Sequence, residues 1–394
     1  MRIGMILDQT FPPDPRVENE AVTLIENGHE VFLFCLSYKE EKLEEEINGI
    51  QVKRYSSTQL EYKLSALAYT VPFYSNMMSK KISIFIEKNK VDSLHIHDMR
   101  IAGAVFKTNK KFNLPVVLDL HENRPEIMRY YPHLQKLPGK FMISLKKWKK
   151  KEEEFIRKSD RVIVVTKQAS DEIVNRVGVS SKKITIVPNS VRNSFYKQNT
   201  FDETILSKYK DKFVVLYVGD TNLRRGLLTA IEASVELSRE IKNYKLVIVG
   251  SNTTDTVLKR KVQDLNLGQY VDFEGWKDLS LFPSYIKSSH ICISPLYRNL
   301  HHDTTYANKI FQYMSYGKPV VVSNAIAQEE VVVRSKSGLV HEEKNAKNFS
   351  DRVLELYNNS DKAKEYGENG KRFIQEEFTW EITSQALIQL YEEI

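Results

Sequence analysis

Short apolar runs rich in β-branched and aromatic residues recur along the chain, separated by stretches of helical period. In the first half they fall at residues 2–7, 30–36, 93–96, 116–120 and 161–165, with a helix expected over about 15–27 and helical cover over 59–90. A second series begins near residue 212, with runs at 213–218, 245–250, 270–273, 291–294, 319–323 and a short one at 338–340. Strands alternating with helices predict parallel sheets wound with helices, and 394 residues suffice for two cores of ordinary domain size. Each early run ends in polar residues: Asp8-Gln9, His95 and His97-Asp98, His121-Glu122, Thr166-Lys167. In an open α/β sheet such carboxyl ends line the ligand crevice.

Near the C-terminal end, residues 302–322 read as a helix from about Thr305, with Tyr306, Ile310, Tyr313 and Met314 at core spacing, a stop at Gly317, and an apolar strand opened by Pro319. Lys309 and Gln312 share a face of that helix. There a cation and an amide can meet a phosphate and a sugar hydroxyl together; the alternative is a solvated lysine on an ordinary amphipathic helix. The order Asn308-Lys309, an aromatic, Tyr313-Met314, then Gly317-Lys318-Pro319-Val320-Val321 resembles the donor-binding signature of glycosyltransferase family 4, the retaining GT-B enzymes. Residues 184–191 are similar to the segment that closes the N-terminal domain in that family, with Ser190 in place of the usual glycine and Phe195 in register.

The resemblance implies an α/β protein of GT-B fold: two Rossmann-like, doubly wound parallel-sheet domains facing a central cleft. The acceptor-binding domain is expected at residues 1–195, with a C-terminal helix over 376–394 packing back on it, and the nucleotide-sugar domain at 196–375. The implied activity moves a hexose from a UDP- or GDP-sugar to a glycan, lipid-linked, of a bacterial surface polysaccharide. A nucleotide-sugar epimerase and a non-catalytic partner subunit share the fold and stay open.

Residues 215–227 form a strand, a loop and a helix start, a junction that offers backbone N–H groups to an anion. The corresponding family motif is Gly-Arg-x4-Lys-Gly, whose cations hold the diphosphate. Here Gly219 and Gly226 keep their places, Arg225 matches the second cation, and Asp220 stands where the first belongs. Arg224 or Lys309 is expected to compensate. Of the family's Glu-x7-Glu pair, Gln312 occupies the second position and Thr304 the first, with Asp303 placed to take part of that role. His121 resembles the histidine that faces the transferred sugar. The expected catalytic set is therefore His121, Asp303, Arg225 and Lys309, and the donor-binding set is Gly219, Arg224, Arg225, Thr304, Asn308, Lys309 and Gln312.

On the acceptor side stand Arg16, His97 and Glu122. Arg16 is either an anion donor or a surface residue of its helix; Asp14-Pro15 reads as the start of that helix. His97 is either functional or a neutral imidazole satisfied by a backbone carbonyl. The first loop, residues 9–14, contains no glycine, which excludes a dinucleotide fingerprint. His301-His302-Asp303 implies no metal, since adjacent histidines diverge and no third ligand is implied. With no Asp-x-Asp, no metal cofactor is expected, and the nucleotide-sugar is a substrate.

Charge adds one partner. Residues 1–200 carry 33 Lys and Arg against 24 Asp and Glu, whereas residues 201–394 carry 25 against 27. No zinc-finger, helix-turn-helix or RNP pattern accompanies the basic half, so an anionic membrane surface or a phosphorylated acceptor fits better than nucleic acid. Between Lys136 and Lys151 lie seven lysines and no acid, interleaved with Leu137, Phe141, Met142, Ile143, Leu145 and Trp148. That composition fits a helix lying on a membrane, or one solvated on its outer face and packed on the sheet. The start reads as a strand rather than a signal peptide, and no apolar run is long enough to span a bilayer. A cytoplasmic location, free or peripheral on the inner face of the membrane, is expected, with Cys35 and Cys292 as buried thiols.

Overall fold

A computed structural model describes the chain except residues 40–41, 132–133, 135–141, 193–194 and 196–199. It divides into two compact units, residues 1–188 with 384–394, and residues 189–383.

The first unit holds an eight-stranded sheet: β1 (Arg2–Ile6), β2 (Glu30–Ser37), β3 (Glu44–Ile47), β4 (Ile50–Ser56), β5 (Ser93–His97), β6 (Val116–Leu120), β7 (Arg161–Val164) and β8 (Ile184–Ile186). Their order is β3-β4-β2-β1-β5-β6-β7-β8, parallel except for the β3/β4 pair. The sequence reading contained no strands between residues 37 and 93. There β3 and β4 form a hairpin on Asn48-Gly49, both with positive φ, the backbone that a two-residue turn requires. Three glutamates on β3 make a charged sheet edge that discourages pairing with another chain.

The helix Pro15–Glu26 starts as the sequence indicates, Asp14 accepting from the backbone N–H of Val17 at 3.2 Å. Its Val17, Ala21 and Leu24 are fully buried, and so is Glu20. The last helix, Gln385–Glu392, belongs to this unit and buries Leu387, Leu390 and Tyr391.

The helix Leu145–Lys158 takes the packed arrangement of the two that its composition allows. Trp148 is 2% exposed and meets the ring of Tyr69 edge-on at 4.7 Å, with Phe155 and Ile156 buried beside it. An indole so placed packs the helix onto the unit and is not an interfacial anchor. Lys146, Lys147 and Lys150 remain outward, while residues 136–141 lie outside the described residues. No helix among the described residues is long and apolar enough to cross a membrane.

The second unit holds six parallel strands: β9 (Phe213–Val218), β10 (Tyr244–Val249), β11 (Val271–Gly275), β12 (Ile291–Ser294), β13 (Val320–Ser323) and β14 (Gly338–His341), in the order β11-β10-β9-β12-β13-β14. Apolar cores cover both faces of this sheet. The chain reverses direction of winding between β9 and β12, as it does between β1 and β5 in the first unit. Ligands of open α/β sheets bind outside the strand ends at that reversal.

The helix expected from Thr305 is two helices, Leu300–Thr304 and Lys309–Ser315. The hydroxyls of Thr304 and Thr305 bond back to the carbonyls of Leu300 and His301 at 2.7 and 2.6 Å, and Thr305 turns extended. Such side-chain bonds compete with the helix ladder and end it. Cys35 and Cys292 are buried thiols.

Candidate functional site

In the second unit the site is built where the loops after β9 and β12 touch. Gly226, with φ 78°, lets them do so: a Cβ there would lie 1.7 Å from the carbonyl oxygen of Pro295. The backbone N–H of Tyr297 donates to the carbonyl of Arg224 at 3.0 Å, and Asn222 caps the short turn Leu223–Arg225 by accepting from the N–H of Arg224. The Arg224 guanidinium donates to His302 Nε2 at 3.2 Å. Burial and the neighbouring arginines hold the His302 imidazole neutral, with its pKa pulled down to about 3.

Lys309 opens the helix after the break and reaches back to the end of β9. Its Nζ lies 3.6 Å from the ring centroid of Tyr217 and is buried with no hydrogen-bond partner among the described residues. It occupies the side of Gly219, where a Cβ would stand 3.3 Å from Nζ. Burial, then the charges of Arg225 and Arg224, push the Lys309 pKa well below the usual lysine range. Asp220 accepts from Arg225 Nε at 3.2 Å, from Asn252 at 2.7 Å and from the N–H of Asn222 at 3.1 Å. Burial alone would raise its pKa; Arg225 and these hydrogen bonds outweigh that and keep it ionised below the ordinary range.

Gly219, Arg224, Arg225 and Lys309 are therefore brought together. Asn308 is exposed just before Lys309, and Gln312 is half-buried one turn later. Asp303 is engaged by Arg298 through two contacts of 3.2 Å and accepts the backbone N–H of Ile326 at 3.1 Å, at the start of the helix Ile326–Ser335. The Thr304 hydroxyl is turned onto its own helix. Sequence reasoning missed Tyr217 under the lysine, His302 on Arg224, and Asn252 on Asp220. Only the position of Asn252 just past the end of β10 signalled it.

In the first unit Arg16 is 8% exposed, so it is not a surface residue. Its guanidinium forks onto both carboxylate oxygens of Asp119 at 3.0 and 2.8 Å, meets Glu20 at 2.9 Å and donates to the carbonyl of Val187. His121 Nε2 lies 2.7 Å from Asp119 Oδ2, and His97 Nδ1 lies 3.2 Å from His121 Nε2 and 3.4 Å from Asp119. His97 is thus held by side chains, not by a backbone carbonyl; burial pulls its pKa down to about 3 and keeps it neutral. His95 bridges Glu20 at 3.3 Å and the hydroxyl of Tyr391 at 2.9 Å. Glu122 pairs with Arg124 at 3.1 Å.

Glu20, His95, His97 and Asp119 bring ligand-type atoms within 4.8 Å of one another, a donor set that suits a cation. The positive charge among them is the guanidinium of Arg16, which already shares both carboxylates.

Residues 16–194 match Glycosyltransferase Family 4, and residues 198–373 match Glycosyl transferases group 1. The chain belongs to glycosyltransferase family 4. It is a glycosyltransferase of GT-B fold, as the sequence resemblance implied. An uncharacterized glycosyltransferase of Methanocaldococcus jannaschii is 23% identical over 84% of this chain and 82% of its own length. Another from the same organism is 25% identical over 60% of this chain, a match that spans 59% of that relative. The capsular polysaccharide biosynthesis glycosyltransferase CapM of Staphylococcus aureus is 21% identical over 58% of this chain and 60% of its own length. Among solved structures, a sucrose-phosphate synthase from Thermosynechococcus elongatus superposes with a TM-score of 0.80 at 18% identity, covering 100% of this chain and 98% of the other. Anabaena HepE, solved in complex with UDP, gives 0.74 at 14% identity with full coverage of both chains. Glycosyltransferases of this family take nucleotide-sugars as substrates and as a rule work without a metal.

Proposed function

We propose that this glycosyltransferase moves a hexose, with retention at the anomeric carbon, from a UDP- or GDP-sugar to a lipid-linked glycan of a bacterial surface polysaccharide. The observation that carries the donor site is the Lys309 Nζ, buried beside Gly219 without a hydrogen-bond partner among the described residues. A buried polar group left unpaired is costly, and one held that way among two arginines is set for an anion. Lys309, Arg225 and Arg224 meet the diphosphate, and their charge stabilises the leaving nucleotide without a metal ion. Gln312, one turn beyond Lys309, binds the ribose, and Asn308 lies beside it on the donor. In the first unit His121 meets the transferred sugar, with Glu122 on the acceptor side. No protein nucleophile is needed if the departing phosphate takes the acceptor proton during attack from the same face.

The polysaccharide pathway is supported by the name of the CapM relative, and the uridine donor by the HepE complex with UDP. Lys146, Lys147 and Lys150 face outward on the helix Leu145–Lys158, which supports peripheral binding to the inner face of the cytoplasmic membrane through anionic head groups.

Calorimetry with UDP and GDP tests the donor site. Lys309→Met is expected to weaken binding by about 2 kcal/mol, roughly 30-fold, while leaving the unfolding midpoint unchanged or higher, because it removes a buried polar group that lacks a hydrogen-bond partner among the described residues. Equal affinity in the variant refutes the assignment. Incubating donor sugar alone, with product analysis, separates transfer from epimerisation.

A further inference from the structure

Arg16, Glu20, His95, His97 and Asp119 form one buried cluster of the first unit that the proposed transfer leaves unused. Two of them, Asp119 and His97, touch one ring that is not fully buried, His121, whose side chain keeps 17% of its surface exposed. Asp119 lies on β6 two residues before His121, so both side chains sit on the same side of the strand end, and Oδ2 comes within 2.7 Å of Nε2. The other ring nitrogen, Nδ1, makes no hydrogen bond among the described residues.

We propose that Asp119, gripped by the forked guanidinium of Arg16, is a positioning residue that holds His121 as an imidazolium, with Nε2–H spent on the carboxylate and Nδ1–H left as a donor toward substrate oxygen. His121 then cannot accept a proton at neutral pH and acts only by donating a hydrogen bond. The geometry explains why an arginine is buried here: a bidentate pair keeps Asp119 anionic at every working pH and fixes its orientation, so the ring is fixed in turn. Each element packed against His121 contributes. β6 supplies Asp119, the helix Pro15–Glu26 supplies Arg16 and Glu20, and β5 supplies the neutral His97 with Asp98 just beyond it. Glu122 follows in the chain. Burial and Arg16 oppose the charge on His121, Asp119 and Asp98 favour it, and the balance raises the imidazole to about 9.

The inference rests on the reading that His121 meets the substrate, and two measurements separate the two claims. The first is a pH titration of the His121 ring by NMR in histidine-labelled protein, assigned with His121→Gln. In the unaltered protein the ring is expected to stay protonated through pH 8; a midpoint at or below the ordinary histidine value overturns the inference without any variant. In Asp119→Asn the midpoint should fall below about 6.5, the usual histidine value, because burial then acts unopposed; an unmoved midpoint also overturns it. The second is the pH profile of kcat/KM for transfer. Its alkaline limb should move to lower pH in Asp119→Asn, with a loss at pH 8 of about 100-fold. If the NMR midpoint moves and the profile does not, Asp119 positions His121 as inferred, and it is the role of His121 on substrate that falls.

Discussion

The two units share a winding order and place their chemistry at the same topological point, yet they treat charge in opposite ways. At the end of β6 every buried cation has its anion: Arg16 spans Asp119 and Glu20, and Asp119 also takes His121. At the end of β9 the cations exceed the anions. Arg224, Arg225 and Lys309 gather around the carboxylate of Asp220, and among the described residues the Lys309 amine has no hydrogen-bond partner. A balanced cluster stabilises itself and orients a side chain. An unbalanced one is unfavourable until a polyanion arrives, and that is how a site stores affinity for a diphosphate.

The sharpest way to break this contrast is to remove one arginine from each unit. Arg16→Met leaves Glu20 buried without its cation and Asp119 with His121 alone, and should lower the unfolding free energy by about 3–5 kcal/mol in urea denaturation. Arg225→Met should leave stability within about 0.5 kcal/mol and instead weaken UDP binding by about 2 kcal/mol. Equal stability losses in the two variants would erase the distinction.

A smaller effect sharpens it. Asp220 stands where the family places an arginine and holds Arg225 at 3.2 Å, so in the proposed donor site the carboxylate would compete with the diphosphate for that guanidinium. Asp220→Asn is expected to tighten UDP binding by about 1 kcal/mol, roughly fivefold. Weaker binding would mean that Asp220 orients Arg225 for the donor rather than competing with it.

Proton linkage also separates the two units, and the contributions carry opposite signs. His121, raised to about 9 in the folded chain, contributes stability that is fully present below its unfolded pKa near 6.5 and is lost as pH rises through about 9. Glu20, raised by burial to about 7, likewise loses its contribution between the ordinary carboxylate range and neutrality. Lys309 is depressed, so the unfolded chain binds more protons there and its contribution to stability grows with pH. A diphosphate should return the proton to Lys309. Calorimetry of UDP binding in two buffers of different ionisation heat should then show net proton uptake near neutral pH. Uptake that persists unchanged in Lys309→Met assigns the proton elsewhere.

Much of the architecture was legible along the chain because parallel strands buried on both faces read as apolar runs, and their polar ends announce the crevice. That Gly219, Arg225, Gly226 and Lys309 belong to one constellation was legible for a similar reason: loop glycines and cations at set spacing belong to local geometry. The break after Thr304 was not, because whether a threonine hydroxyl bonds back to its own helix depends on what packs around it. Trp148 misled for a related cause. A tryptophan among lysines has the composition of an interfacial helix, and only the ring of Tyr69, 79 residues earlier, shows that the indole faces inward.

The sequence by itself determined the alternation of strand and helix, the two winding units, and which loops carry glycine and cation, since each follows from periodicity and local backbone freedom. Tertiary structure alone decided which charges are paired. Arg16 meets Asp119 across 103 residues and Lys309 meets Tyr217 across the switch point, and the value of a buried charge is set by the groups that surround it in space, not by its neighbours along the chain.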